Sequence, residues 1–194
     1  MKLYFRLLWL VLTQRYRARC PPIGPCKTHF RVLPNDLDLL MHVNNGVYLT
    51  LADLGRTDML LRSDMFGEIR QRGWNPVAAA TSIRYRRSLS LWQKFSIDTR
   101  VLGWQGRSVY IEQRFESGGK LVAHMVIDAR FLSRSGERID SNQLVDVMKL
   151  DGASPSLPPW VEQWAESVRL QSDAETRDAQ NRDAENQDGD GHAG

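Results

Sequence analysis

The sequence predicts an α+β domain in which one antiparallel sheet wraps around a single long, buried helix. Three observations carry that expectation. Apolar residues recur at a helical period over residues 45–61, they alternate with period two over residues 95–131, and the links between the alternating runs are short and contain glycine. With 194 residues, 42% of them hydrophobic, the chain can bury one substantial core, and its length favours one domain over two.

Residues 1–25 read as an amphipathic basic segment. Leu3 to Phe5 and Leu7 to Leu12 are apolar, Arg6 interrupts them, and Lys2, Arg15, Arg17 and Arg19 flank them. The run falls short of the roughly 20 apolar residues a spanning helix needs. Arginines follow it where a secretory signal would have a small-residue cleavage pattern. Such a helix docks on its own domain through Leu3, Leu7 and Trp9, or on an anionic membrane surface, so the expectation is a cytoplasmic protein at most peripheral to a membrane. Cys20 and Cys26 have five residues between them, which fits neither a redox nor a zinc pair, and they are expected to be reduced structural thiols.

The main domain is expected over residues 26–151. Thr28, Phe30 and Val32 alternate as a strand does, and a turn-rich stretch from Pro34 follows. A helix from about Asn45 to Leu61 carries Val47, Tyr48, Leu51, Ala52, Leu54, Gly55 and Met59, an apolar arc broad enough to imply burial. Gly55 costs about 1 kcal/mol relative to Ala inside a helix, which points to close approach of another backbone. A strand is expected over Val77 to Arg87. Three more place Phe95, Ile97, Thr99 and Val101, then Val109, Ile111 and Phe115, then Leu121 to Phe131 at every second position on one side. The links Gly103-Trp104-Gln105-Gly106 and Ser117-Gly118-Gly119 suit antiparallel hairpins.

Residues 152–171 are expected to form a short docked helix, with Pro158 and Pro159 at its start and Trp160, Val161, Trp164, Ala165 and Val168 at helical spacing. Residues 172–194 lack large apolar side chains and read as a disordered acidic tail. Residues 171–194 hold seven acids against two arginines, so the formal net charge of +3 becomes +8 once they are set aside. A basic body suits a polyanionic ligand: a CoA phosphate group, a nucleic acid or an anionic membrane. Trp74, Trp92, Trp104 and Tyr110 are not arranged in an RNA-binding signature, so packing is their expected use and no nucleic acid partner is expected. Phosphate-cradling GxxxxGK[ST], GxSxG and HExxH patterns are absent.

The densest chemistry lies in Asn35 to Tyr48, where two carboxylates, a histidine and asparagines meet a strand-to-helix junction. The first amides of a helix lack intrahelical acceptors and carry partial positive charge, which suits an oxyanion formed when a thioester carbonyl is attacked. A nearby carboxylate can activate water or attack directly. The same residues also serve as a turn with an Asn cap, His42 as a structural hydrogen-bonder, and Asp36 as a solvated acid. Arg84, Arg86 and Arg87 form a basic cluster, read either as solvated charges or as contacts to a CoA phosphate.

Asp38, His42-Val43-Asn44-Asn45 and Tyr48-Leu49 resemble the D-x-x-x-HVNN-x-x-YL signature of the 4-hydroxybenzoyl-CoA thioesterase-like hotdog family. Ile83-x-Tyr85-x-Arg87 and Leu121-Val122-Ala123 resemble later strands of that family, and Pro34 to Leu40 with Arg86 to Leu89 narrows the likeness to one branch. The resemblance implies a hotdog fold, in which the sheet wraps the central helix, and a homodimer or higher homo-oligomer joined through sheet edges. It implies metal-free and cofactor-free hydrolysis of an acyl-CoA or acyl-carrier thioester, with Asp38 as general base or nucleophile and the Asn45 N–H as oxyanion donor. The side chains of His42, Asn44 and Asn45 would shape the turn, with His42, Asn44 and Gly46 beside the substrate. Many relatives have Gly where this chain has Met41, so the backbone differs there or the side chain lines the acyl pocket. Asp53, where relatives often have Glu, is a reserve carboxylate. A noncatalytic acyl-CoA or lipid-associated binding module on the same fold remains the alternative, and hydration or dehydration of an acyl thioester ranks last.

Overall fold

The computed structural model describes residues 2–148, 150 and 153–190. The chain divides into a unit over 1–156 and a second over 157–194. The first contains α1 (Lys2–Thr13), β1 (Cys26–Arg31), α2 (Asn45–Arg62), α3 (Met65–Gln71), β2 (Asn75–Tyr85), β3 (Lys94–Gln105), β4 (Ser108–Ser117), β5 (Lys120–Leu132) and α4 (Ser141–Met148). The five strands form one antiparallel sheet in the order β1-β3-β4-β5-β2.

Alternation places Phe95, Ile97, Phe115, Ala123, Met125 and Ile127 on the face that packs on α2, and all six are buried. The β4–β5 hairpin closes through Gly118 and Gly119, both at positive φ (55° and 73°), as a type I′ turn requires. The helix contributes Tyr48, Leu51, Ala52 and Leu54 to the same core, while Met59 packs with Cys20 and Cys26 in a smaller cluster. This is the expected hotdog arrangement. Strand β2 is observed over Asn75–Tyr85 instead of Val77 to Arg87. The Arg86 and Arg87 amides both donate to the Val122 carbonyl, at 2.8 and 3.1 Å, and that shared acceptor ends the ladder. The period-two signal did not reveal α3 or α4, whose short turns carry little periodicity.

Polar groups are built into this core. Gln113 is fully buried on the inner sheet face, where its amide donates to the Ala52 carbonyl at 2.9 Å and to Thr99 Oγ1 at 3.0 Å while accepting from Arg56 at 2.7 Å. Gly55 sits over it. A Cβ there would come within 2.9 Å of Gln113 Nε2, 3.2 Å of Thr99 Oγ1 and 3.3 Å of Ile97 Cγ2. The close approach is thus to side chains of the sheet, not to another backbone. Gly55→Ala gains helix propensity but displaces an amide held by three hydrogen bonds, so it is expected to destabilise the fold by about 1–2 kcal/mol in thermal or chemical unfolding. A stabilised variant would mean that Gln113 moves freely.

Asp58, also fully buried, accepts from Arg17 at 2.5 and 2.8 Å, from Thr28 Oγ1 at 2.6 Å and from Arg62 at 3.1 Å. A buried carboxylate is tolerable because two guanidinium groups and a hydroxyl donate to its oxygens. The network ties the segment after α1 to α2 and β1. Helix α1 docks with Leu10 buried and Leu7 packed against the core, whereas Trp9 is exposed and the Leu3 side chain lies outside the described residues. Cys20 and Cys26 are free thiols, both buried, and a hydrogen bond to Cys20 together with burial pushes the Cys26 thiol up.

The second unit is one helix, α5 (Pro159–Asp190). It begins within the expected docked helix and runs on into the expected tail, whose residues 191–194 lie outside the described residues. A helix satisfies its own backbone without a core, and exposed partners one turn apart support it: Arg169 with Glu166 and Asp173, and Gln171 with Glu175.

Candidate active site

Between β1 and α2 the chain folds back on itself. Leu37 bridges Val43, the Asp38 N–H donates to the His42 carbonyl at 2.8 Å, and the Asn44 N–H donates to the Asp36 carbonyl at 3.0 Å. The Val43 N–H is held by the Leu89 carbonyl at 3.0 Å and His42 bridges Ser90, so the loop leans on the chain that leads into β3. Its tip is bare: Leu39, Leu40 and Met41 are all exposed.

Asp38 sits half-buried at the start of this reversal. Its Oδ1 accepts from the Leu40 N–H at 2.9 Å and the His42 N–H at 3.3 Å. The Asp38 side chain therefore closes its own turn, and among the described residues no hydrogen bond ends on Oδ2. Helix α2 begins at Asn45 with Asn44 as its cap, the Asn44 side chain accepting from the Gly46 N–H at 2.8 Å. The Val47 N–H reaches the Asn44 carbonyl at 2.9 Å. Among the described residues, nothing accepts from the Asn45 N–H. Of the first amides of the helix, Gly46 is thus engaged by the cap while Asn45 is open toward solvent.

Asp36 is not the solvated acid expected. It is 2% exposed and accepts from Arg6 at 2.6 and 3.1 Å and from the Leu33 N–H at 2.8 Å. The pairing residue lies thirty positions upstream, a distance over which no local pattern could reveal it. Met41 has φ 59°, the left-handed region that glycine enters freely. The backbone thus keeps the conformation a glycine would take, and the Met41 side chain is 59% exposed at the loop tip. Met41→Gly is expected to raise stability by up to about 1 kcal/mol, the relief of the left-handed cost exceeding the added freedom of the unfolded chain. A denaturant midpoint measured at constant slope checks it, and a clear loss of stability would assign the side chain a packing role.

Sequence reasoning passed over Tyr85 except as part of a strand pattern. Its hydroxyl donates to the Asn45 carbonyl at 3.1 Å, and its ring meets Tyr48 edge-on at 5.1 Å between centroids. Burial pushes the Tyr48 phenol up to about 12 and raises that of Tyr85, so both stay protonated and Tyr85 stays a donor. This contact fastens the first residue of α2 to the end of β2. Arg84 and Arg86, also exposed, are not drawn in to the turn: Arg84 stands opposite His124 on the other side of β2 from Tyr85, and Arg86 lies past the strand end. Asp53 pairs with Arg56 one turn along α2. Both line a cavity of about 260 Å³ between α2 and the sheet, walled by Leu60, Val77, Ile127 and Phe131. Among the described residues no cluster of His, Cys, Asp and Glu is arranged to hold a metal ion.

Comparison with known proteins gives this geometry a context. The chain is similar to Protein THEM6 of Danio rerio, 31% identical over 174 residues that cover 88% of this chain and 84% of that protein. It is also similar to Protein THEM6 of Xenopus laevis, 49% identical over 84 residues, a match spanning 43% of this chain and 41% of that protein. Among solved structures, the probable thioesterase YbaW from Escherichia coli superposes with a TM-score of 0.60 at 24% identity, covering 63% of this chain and 96% of that one. That likeness fixes the hotdog fold. The model of the thioesterase-like superfamily matches residues 32–165, a span that takes in the Asp38 turn, the capped start of α2 and the whole sheet after it. On that match the chain belongs to the thioesterase-like superfamily.

Proposed function

We propose that this protein hydrolyses an acyl-CoA-type thioester to a carboxylic acid and a thiol. The observation that carries the reading is the open Asn45 N–H at the start of α2, with the Asp38 carboxylate in the turn that leads to it. Superfamily membership supports thioester hydrolysis as the reaction. The substrate carbonyl oxygen accepts from the Asn45 N–H, and the negative charge that develops there is stabilised by the positive end of the helix. Asp38 acts through its second oxygen, drawing a proton from water or attacking the carbonyl carbon itself. In the first route the activated water adds to the carbonyl, the C–S bond breaks and the proton held by Asp38 passes to the departing thiolate. In the second the C–S bond breaks, the thiolate takes a proton from solvent, and a water then hydrolyses the acyl–Asp38 anhydride to release the carboxylic acid and restore the carboxylate. His42, Asn44, Gly46 and Met41 hold the backbone around the reacting carbonyl.

The cavity beside Asp53 lies about 12 Å along α2 from Asn45 at the helical rise of 1.5 Å per residue, a suitable place for the acyl chain. Arg84 and Arg86, exposed at the far end of β2, suit the CoA phosphates. Among the described residues strand β2 is paired on one side only, to β5, and most of its eleven residues are exposed. Joining two such edges across a homodimer would complete the ladder and remove a free edge that otherwise invites aggregation. The outer face of α1, with Tyr4, Phe5, Leu8 and Trp9 exposed, suits peripheral contact with a membrane. Among the described residues no helix is long and apolar enough to cross one.

Purified protein assayed for thiol release from acyl-CoAs of graded chain length tests the reaction. Turnover on part of the series is the expected outcome. Saturable binding of a nonhydrolysable analogue without thiol release would replace the enzyme by a binding module on the same fold.

A further inference from the structure

Asp36 holds the reactive loop from both ends. Its carboxylate accepts from the Leu33 N–H at 2.8 Å, where the chain leaves β1, and its carbonyl accepts from the Asn44 N–H at 3.0 Å, where α2 is capped. Asp38 lies two residues on, in the span between these anchors. Because Leu39, Leu40 and Met41 at the tip are exposed, packing there does little to fix the loop, and its base must do so. The base in turn depends on a charge supplied from elsewhere. The Arg6 guanidinium donates to both oxygens of Asp36, at 3.1 and 2.6 Å, and to the Arg31 carbonyl at 3.0 Å. The side chains of this pair are only 14% and 3% exposed, so little water is available to stand in for the arginine. A planar fork matched to a carboxylate is a geometry that lysine cannot reproduce.

We propose that Arg6 is a positioning residue for the thioesterase site, making α1 a working part of that site: its inward face fastens the loop that presents Asp38. The inference rests on the proposed function for its consequence in catalysis, but the mechanical claim stands on the geometry alone. Helix α1 has two faces with separate uses. Arg6 and the buried Leu10 point into the domain, while Tyr4, Phe5, Leu8 and Trp9 are exposed and touch nothing this claim requires.

The test uses the full chain with Arg6→Ala and Arg6→Lys, reading kcat, KM, the unfolding midpoint and amide hydrogen exchange. Arg6→Ala is expected to lower kcat by about ten- to a hundredfold with KM nearly unchanged, as misplacement of a reacting group does. The amides of Leu40, His42 and Asn44 should exchange at least about tenfold faster while those of β4 and β5 keep their protection. Arg6→Lys retains the charge without the fork and is expected to fall between wild type and Arg6→Ala, with a wild-type midpoint; this keeps the test decisive should Arg6→Ala fold poorly. Wild-type kcat and wild-type exchange at the loop in Arg6→Lys and Arg6→Ala would overturn the proposal. So would loosening spread evenly over the domain, which is the mark of a merely structural role. If the wild-type protein releases no thiol from any acyl-CoA, the functional reading falls, and the exchange data still decide whether Arg6 holds the loop.

Discussion

Asp38→Asn is expected to lower kcat for thioester hydrolysis by about 10²–10⁴-fold, the range over which a positioned proton acceptor contributes, while the fold stays intact. The exchange is chosen for what it keeps. Asp38 Oδ1 accepts from the Leu40 and His42 amides at 2.9 and 3.3 Å, and an asparagine carbonyl oxygen can accept from both in the same geometry. What disappears is the carboxylate charge, and with it the ability to take a proton or to attack. Asp38→Ala would remove the turn acceptor as well, costing about 0.5–1.5 kcal/mol per hydrogen bond lost, and would mix a structural effect with the chemical one. Steady-state turnover beside a thermal unfolding curve separates the two. If Asp38→Asn retained a tenth or more of wild-type kcat, the base would have to be sought elsewhere, and Asp53 on α2 would be the next carboxylate to change.

The parts of this molecule legible in its sequence are those that repeat locally. Alternation of Phe95, Ile97 and Thr99, or of Ala123, Met125 and Ile127, reflects the two-sidedness of a strand, so it shows before any partner is known. The start of α2 at Asn45 was readable for a similar reason, since a cap acts within three residues. What stayed hidden is pairing across the chain. The Arg6–Asp36 bridge spans thirty positions, Arg17–Asp58 spans forty-one, and the Gln113 amide reaches Ala52 across sixty-one, with no period to announce any of them. Composition then misled in a consistent direction. Asp36 and Asp58 are polar residues that a local reading sends to solvent, yet both are buried because a distant arginine answers their charge. The length of α5 stayed hidden for a different reason: a single helix with side-chain partners one turn apart requires no core and so leaves no apolar period in its sequence.

Asn45→Pro is expected to cost kcat about 10²–10³-fold, the loss seen when one oxyanion donor is removed, with little change in stability. Proline at this position is an unusually clean deletion of one hydrogen. Asn45 is the first residue of α2, where proline is tolerated because its fixed φ suits a helix and the amide it lacks has no intrahelical acceptor. The residue before a proline must be extended, and Asn44 already is, at φ −59° and ψ 139°. The Asn45 carbonyl, which accepts from the Tyr85 hydroxyl at 3.1 Å, is untouched by the change. Asn45→Ala keeps the N–H and should stay near wild type, which separates the backbone donor from the side chain. Wild-type kcat in a stably folded Asn45→Pro would exclude this amide from the reaction. The double variant with Asp38→Asn adds a further constraint. If the carboxylate and the amide act in one transition state, the two losses should combine to less than their product, because the second change removes help that the first has already made unusable. Losses that multiply would instead mean that Asp38 and Asn45 stabilise the transition state independently of one another.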